Sequence, residues 1–160
     1  MSVPEKASHP LITGGCQCGA VRYALHSEPT HASICHCRMC QKAFGNYFSA
    51  LTGVPKGDLV WTKGQPGIFN SSEAVERGFC RNCGTPLTFA YVEQDRICVS
   101  IGSLDEPDRA IPEIQYGIES RRPAFEALHK LPGITTEEDI PPEMLARLKS
   151  RQQPDHEGDS

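Results

Sequence analysis

A mainly β fold is expected for this chain: a single compact domain of short antiparallel strands with cysteine knuckles, few short helices and one helix near the C-terminus. Three observations predict it. Between residues 14 and 102, short apolar runs are broken repeatedly by Gly, Pro, Asn or Asp, which is the spacing of strands and turns. Helical periodicity is scarce along the chain. Two pairs of cysteines, Cys16/Cys18 and Cys80/Cys83, are each followed by a glycine and then an extended run. At 160 residues the chain has the length of one ordinary domain. A chain of that size buries roughly 68–70% of its unfolded surface, so it needs no disulfide framework to hold a core.

The elements follow in order. Residues 1–11 are polar and contain two prolines, as a flexible lead would. Residues 20–25 alternate Val21, Tyr23 and Leu25 with Ala20, Arg22 and Ala24, the pattern of a half-buried strand. A strand over 30–34 leads into a cysteine run, and further strands are expected at 47–51 and 58–62, the latter carrying Trp61. Residues 75–79 form a candidate strand that ends against Cys80. Residues 85–92 and 96–101 read as a hairpin turning at Glu93-Gln94-Asp95, with Ile97, Val99 and Ile101 on one face and Cys98 on the other. A last strand is expected at 113–118 and a short helical turn at 123–129. A helix over 141–150 carries Met144, Leu145 and Leu148 as its apolar stripe, with proline at its start and Arg147, Lys149 and Arg151 toward its end. The expected division is therefore a lead over 1–11, a zinc-binding domain over 12–133, a helical extension over 134–151 and a disordered tail over 152–160.

The cysteines carry the chemistry. Cys35, Cys37 and Cys40 lie within six residues as C-x-C-x-x-C. Thiols this close can wrap one face of a zinc ion at about 2.3 Å each, leaving the fourth corner to be filled from elsewhere or to stay open. The pairs Cys16/Cys18 and Cys80/Cys83 can face each other and close a four-cysteine site. The glycine after each pair lets the backbone turn with positive φ while amide groups approach the sulfurs. Three readings of the central run remain: an open zinc site, a closed site completed by Cys98 or His36, and a metal-free redox pair at Cys37 and Cys40. His36, between two ligands, should point away from an ion that they share. The remaining histidines, His9, His26, His31, His129 and His156, lack ligand-like spacing and read as surface or satisfied residues.

The segments Gly14-Gly-Cys-Gln-Cys-Gly-Ala-Val-Arg-Tyr23, Cys35-His-Cys-Arg-Met-Cys40 and Phe79-Cys-Arg-Asn-Cys-Gly-Thr85 together resemble the glutathione-dependent formaldehyde-activating enzyme family, which shares its domain with centromere protein V. The likeness continues through Gly102-Ser-Leu-Asp105 to about residue 133. The resemblance implies a mostly β fold with two zinc ions per chain. Cys16, Cys18, Cys80 and Cys83 would hold a structural ion, and Cys35, Cys37 and Cys40 a catalytic one with an open position. It implies a carbon–sulfur lyase that adds glutathione, or a related small thiol, to a small aldehyde such as formaldehyde. Arg38, Lys42 and Arg121 are candidates by position for the carboxylates of glutathione. The chain departs from the family where members often carry a histidine and an aromatic: it reads Ile114-Gln115-Tyr116 and Pro123-Ala124-Phe125. Gln115 cannot take up a proton at neutral pH as histidine does.

Charge and hydropathy limit the partners. The formal charge is −4, and metal binding lowers it further by deprotonating thiols. Arg121-Arg122 and a scattered C-terminal set make no basic stripe, so nucleic acid is not an expected partner. No run of 18 apolar residues is present and the first ten residues have no apolar segment, so neither a membrane span nor a secretory leader is expected. Clustered thiols of this kind suit a reducing, cytoplasmic setting. The rival to an enzyme is a non-catalytic, zinc-stabilised protein-interaction module on the same scaffold.

Overall fold

The computed structural model describes residues 10–148 together with Ser150 and Gln152. The expected lead and tail fall almost entirely outside the described residues. Among the described residues, ten strands form two sheets. The smaller sheet has the order β1-β2-β5, from β1 (Ile12–Gly15), β2 (Arg22–Leu25) and β5 (Leu59–Lys63). The larger has the order β10-β3-β4-β9-β8-β7-β6. Its members are β3 (Thr30–Cys35), β4 (Ser49–Pro55), β6 (Gly67–Asn70), β7 (Val75–Phe79), β8 (Pro86–Tyr91), β9 (Arg96–Ser100) and β10 (Ile114–Tyr116). The fold is mainly β, as the sequence predicts.

Every pairing is antiparallel except one. Strand β10 runs parallel to β3, with Gln115 opposite Ile34 and Tyr116 opposite Cys35. A parallel partner needs a long crossover, and the chain supplies it by travelling from β9 through residues 101–113 before reaching β3 again. This return lays β10 along the strand that delivers the three-cysteine run.

The core sits between the sheets. Ile12, Val21, Tyr23 and Leu25 from the smaller sheet side meet Val54, Leu87, Val99, Ile101 and Leu104. Tyr23 is fully buried, packs edge-on to Trp61 at 5.9 Å and shares a 2.7 Å hydrogen bond with Ser103. The half-buried strand expected over 20–25 is instead buried along all of β2. It is the central strand of its sheet, and its polar residue is covered. Arg22 donates twice to Asp105, at 2.8 and 2.5 Å, and Thr13 donates to the same carboxylate at 2.6 Å. Gly14 makes room for this crossing, because a Cβ there would stand 2.5 Å from the Ser103 carbonyl.

One helical expectation is corrected. The helix expected over 141–150 is shortened to the four residues of α3 (Pro142–Leu145), and a separate four-residue helix, α2 (Thr136–Asp139), precedes it. Thr135 caps α2 in a reciprocal box with Glu138, and Pro141–Pro142 forces a new start between them. Helix α1 (Arg38–Phe44), a helix not among the sequence-based expectations, starts within the three-cysteine run. Cys37 is its N-cap, accepting a bond from the Cys40 amide, and Gly45 ends it with φ of 58°. Among the described residues no helix is long and apolar enough to cross a membrane.

Candidate metal centre

The two knuckles are built alike. In the first, the Cys16 amide donates to the Val21 carbonyl and the Gly19 amide to the Cys16 carbonyl. In the second, the Cys80 amide donates to the Thr85 carbonyl and the Gly84 amide to the Cys80 carbonyl. Gly19 and Gly84 have φ of 75° and 80°, the left-handed turn expected from their place after each pair. The first knuckle joins β1 to β2 and the second joins β7 to β8, so their meeting ties one sheet to the other. Gln17 donates its amide to the Thr85 hydroxyl across the join at 3.0 Å.

The four sulfurs lie within 4.8 Å of one another. Cys16 Sγ is 3.6 Å from Cys18 Sγ, which is 3.8 Å from Cys80 Sγ. Four thiolates around zinc at 2.3 Å stand about 3.8 Å apart, so the cage has the dimensions of one tetrahedral ion. Backbone support is present, with the Val21 amide donating to Cys16 Sγ at 3.3 Å. Burial raises the Cys83 thiol, but hydrogen bonds from Thr85 and Cys18 outweigh it and bring the group down to about 6. None of the eight cysteines is in a disulfide.

Cys35, Cys37 and Cys40 form a second group, also with sulfurs within 4.8 Å. Each comes from a different local device: Cys35 ends β3, Cys37 caps α1, and Cys40 lies in the first turn of that helix. The Cys40 amide donates to Cys37 Sγ at 3.4 Å. A hydrogen bond from Cys35 holds the Cys40 thiol far down, to about 4, against the opposing effect of burial and with help from Arg77. The same bond, with burial, pushes Cys35 up. An all-sulfur donor set of this kind suits zinc.

His36 does turn away from the three sulfurs. It is fully buried, with Nε2 2.9 Å from Gln115 Oε1 and its ring edge-on to Phe125 at 4.7 Å. Its amide donates to the Tyr116 carbonyl, and its carbonyl accepts from Gln41 Nε2. One departure from the family pattern, Gln115, therefore lies in the shell that holds His36 from behind, and the residue after the other, Phe125, packs on the ring. Neither Gln115 nor Ala124 lines the cavity in front of the sulfurs.

That cavity has a volume of about 470 Å³ and is floored by one face of the large sheet. Alternation along the strands selects what faces it: Ser33 and Cys35 from β3, Val75 and Arg77 from β7, Phe89 and Tyr91 from β8, Arg96 and Cys98 from β9. Arg77, Phe89, Cys98 and Gly53 form one row across four strands. The Arg96 guanidinium lies directly over Gly53, 2.6 Å from where a Cβ would stand, so a side chain at that position would push the arginine aside. Arg96 Nη2 donates to the Thr30 carbonyl at 2.7 Å and the Gly53 carbonyl at 3.0 Å. His31, with φ of 56°, sits at an irregularity in the β3–β4 pairing and also reaches the cavity.

The cations expected from position are not the ones in front of the sulfurs. Arg38 donates to Gln41 Oε1, Arg121 pairs with Glu126, and neither these nor Lys42 line the cavity. Arg77, Arg96 and His31 take their place, and no carboxylate is among the described residues lining it. The signal for Arg77 was present: it shares one strand face with Val75 and Phe79, an arginine at an inward position. His31 gave no such signal, because its reach depends on the bulge.

The sequence profile of the family described as "Glutathione-dependent formaldehyde-activating enzyme" matches residues 11–120. An uncharacterized lyase of Schizosaccharomyces pombe is 37% identical over 82 residues, covering 51% of this chain and 59% of that protein. A provisionally named glutathione-dependent formaldehyde-activating enzyme of Phaeosphaeria nodorum is 31% identical over 97 residues, covering 49% and 51%. The chain thus spans little more than half the length of these curated relatives. A crystal structure of a Rhodobacter sphaeroides protein has the same fold, with a TM-score of 0.53 at 22% identity over 65% of this chain and 98% of that one. Since the profile takes in both knuckles, the three-sulfur run and the β10 edge that braces it, the chain belongs to the family of glutathione-dependent formaldehyde-activating enzymes.

Proposed function

We propose that this chain is a zinc-dependent carbon–sulfur lyase that joins the thiol of glutathione, or a related small thiol, to a small aldehyde. Cys35, Cys37 and Cys40 hold the working ion, and Cys16, Cys18, Cys80 and Cys83 hold a structural one. The observation that supports this most is the setting of the three sulfurs. They stand at the wall of an arginine-lined cavity, and no fourth His, Cys, Asp or Glu atom joins their group among the described residues. A module that used the ion only as a staple would have no need of such a cavity.

An ion at that site supplies one thing, a preference for the thiolate form of a thiol that coordinates it. The remaining work falls to the chain. Arg96, braced on Thr30 and Gly53, offers the rest of its guanidinium to a substrate carboxylate, and His31 stands in the same cavity. Phe89, Tyr91, Leu51 and Met39 give the cavity apolar walls that exclude water from the reacting carbon. In the reaction the sulfur bonds to the carbonyl carbon and the π pair moves to oxygen. The proton given up by the thiol ends on that oxygen.

The test is the exchange rate between formaldehyde, glutathione and their adduct, followed by carbon-13 NMR with the full chain. The expected result is an exchange faster than the spontaneous reaction. Cys37→Ser should remove that excess, with one zinc fewer per chain and a melting temperature within a few degrees of the parent. Exchange at the spontaneous rate with both ions bound would overturn the reading.

A further inference from the structure

Among the described residues two arginines are almost fully buried, and they are satisfied in opposite ways. Arg22, 6% exposed, is matched by the two oxygens of Asp105. Arg77, 7% exposed, has no carboxylate partner among the described residues. Its Nε donates to Ser71 Oγ at 3.2 Å, its Nη2 to Cys40 Sγ at 3.5 Å, and its Cζ lies 5.0 Å from the centroid of Phe89. Its Nη1 is buried with no hydrogen-bond partner. A guanidinium keeps its charge at any ordinary pH. Burying it without an anion costs several kcal/mol, more than one hydroxyl and one aromatic face return. The anion available to it is the sulfur group it touches.

We infer that Arg77 is the counter-ion of the three-cysteine site and sets which fourth ligand that site accepts. A dication held by three thiolates carries one negative charge, which Arg77 cancels. When an anionic thiol enters, the neutral site goes to one negative charge, where a site without Arg77 would go to two. Without Arg77, a thiolate would have to enter a site that is already negative, whereas a neutral ligand would be little affected. The strand supports this assignment: Arg77 lies three residues before Cys80, so the four-cysteine knuckle that anchors β7 also fixes where the guanidinium stands. Arg77 acts through Cys40 and is a positioning residue.

The experiment uses the full chain loaded with cobalt(II), whose sulfur-to-metal absorption reports each site, in the parent, Arg77→Met and Arg77→Lys. The first readout, which does not depend on the lyase reading, is cobalt affinity at the three-cysteine site by competition with a chelator. Arg77→Met should bind about tenfold more weakly or worse, as expected for a unit charge removed from within a few ångströms. Arg77→Lys, which keeps the charge but loses the planar fork and the ring contact, should recover only part of that loss. The four-cysteine site serves as the folding control and should keep its ion in all three proteins. Equal affinities, or a lysine variant as weak as the methionine one, would overturn the assignment. The second readout rests on the lyase reading and compares glutathione with imidazole as added fourth ligands. Arg77→Met should lose about tenfold in glutathione affinity and little in imidazole affinity, and equal losses for both would overturn the claim about ligand choice. Should the parent bind no glutathione, the lyase reading fails and so does the claim about ligand choice, while the cobalt affinities still decide whether Arg77 is the counter-ion.

Discussion

The ring nitrogen Nε2 of His36 is 2.9 Å from Oε1 of Gln115, so the residue between two candidate ligands is held from behind by the edge strand β10. His36 is fully buried, and its other nitrogen, Nδ1, already lacks a partner. Gln115→Leu leaves both nitrogens without one. The expected cost is about 1–3 kcal/mol of stability, visible as a lower urea midpoint with an unchanged slope. Metal content should not change, since no ligand is touched. An unshifted midpoint would show that the pair contributes nothing.

The two cysteine groups should respond differently to the same chemical change. Cys80 is 1% exposed within the core, whereas Cys37 is half-buried at the cavity wall. Cys80→Ser should lower the melting temperature by ten degrees or more, on the order of the loss seen when a structural zinc site is broken. Cys37→Ser should leave melting nearly unchanged and remove one ion. Calorimetry with metal analysis on both variants decides it, and equal destabilisation would make both sites structural.

Gly84 has φ of 80°, and a Cβ added there would meet nothing within 4 Å. Gly84→Ala therefore isolates the backbone cost from any clash. The expected loss is about 1–2 kcal/mol, together with weaker metal binding at the four-cysteine cage. Denaturant titration of metal-loaded protein checks the first and chelator competition the second. Stability equal to the parent would mean that the knuckle relaxes out of the left-handed turn.

The pair Arg22–Asp105 is bidentate, with side chains 8% and 9% exposed. Asp105→Ala removes the bidentate carboxylate from a buried guanidinium and should cost about 3–5 kcal/mol. The measurement is again a urea midpoint. A loss under about 1 kcal/mol would place the pair among surface ion pairs in energetic terms.

Arg96 is the expected carboxylate partner of the proposed substrate. Arg96→Met should raise KM for glutathione about tenfold or more, the worth of one charge-assisted bond, and leave KM for an uncharged thiol such as 2-mercaptoethanol within twofold. Steady-state rates with both thiols test this. A parallel rise for both would mean that Arg96 shapes the cavity without reading charge.

Much of the fold was legible because strand and turn chemistry is local. The strand at residues 75–79 coincides with β7 in full, and the hairpin at Glu93-Gln94-Asp95 joins β8 to β9 as expected. The four-cysteine cage was equally legible, because ligand spacing and the trailing glycines carry it without reference to distant residues. What escaped depends on tertiary placement. Helix α1 has seven residues, too few for a period, and owes its start to a cysteine cap. The parallel docking of β10 is set by a long return of the chain, which no local pattern encodes. The cations that line the cavity were not legible, because position in sequence points to neighbours and not to partners in register. Arg77 and Arg96 come to the three sulfurs only through the pairing of β7, β8, β9 and β4.

The four-cysteine cage draws its ligands from two stretches of chain, Cys16 with Cys18 and Cys80 with Cys83. During synthesis the earlier pair must therefore wait, exposed and reduced, until Cys83 has left the ribosome. Only then can one ion be grasped by both knuckles at once. With zinc as the ion proposed for that cage, scarcity or an oxidant in that interval would do its damage to the nascent chain, so the yield of sound protein should follow zinc supply during translation more closely than zinc supply afterwards.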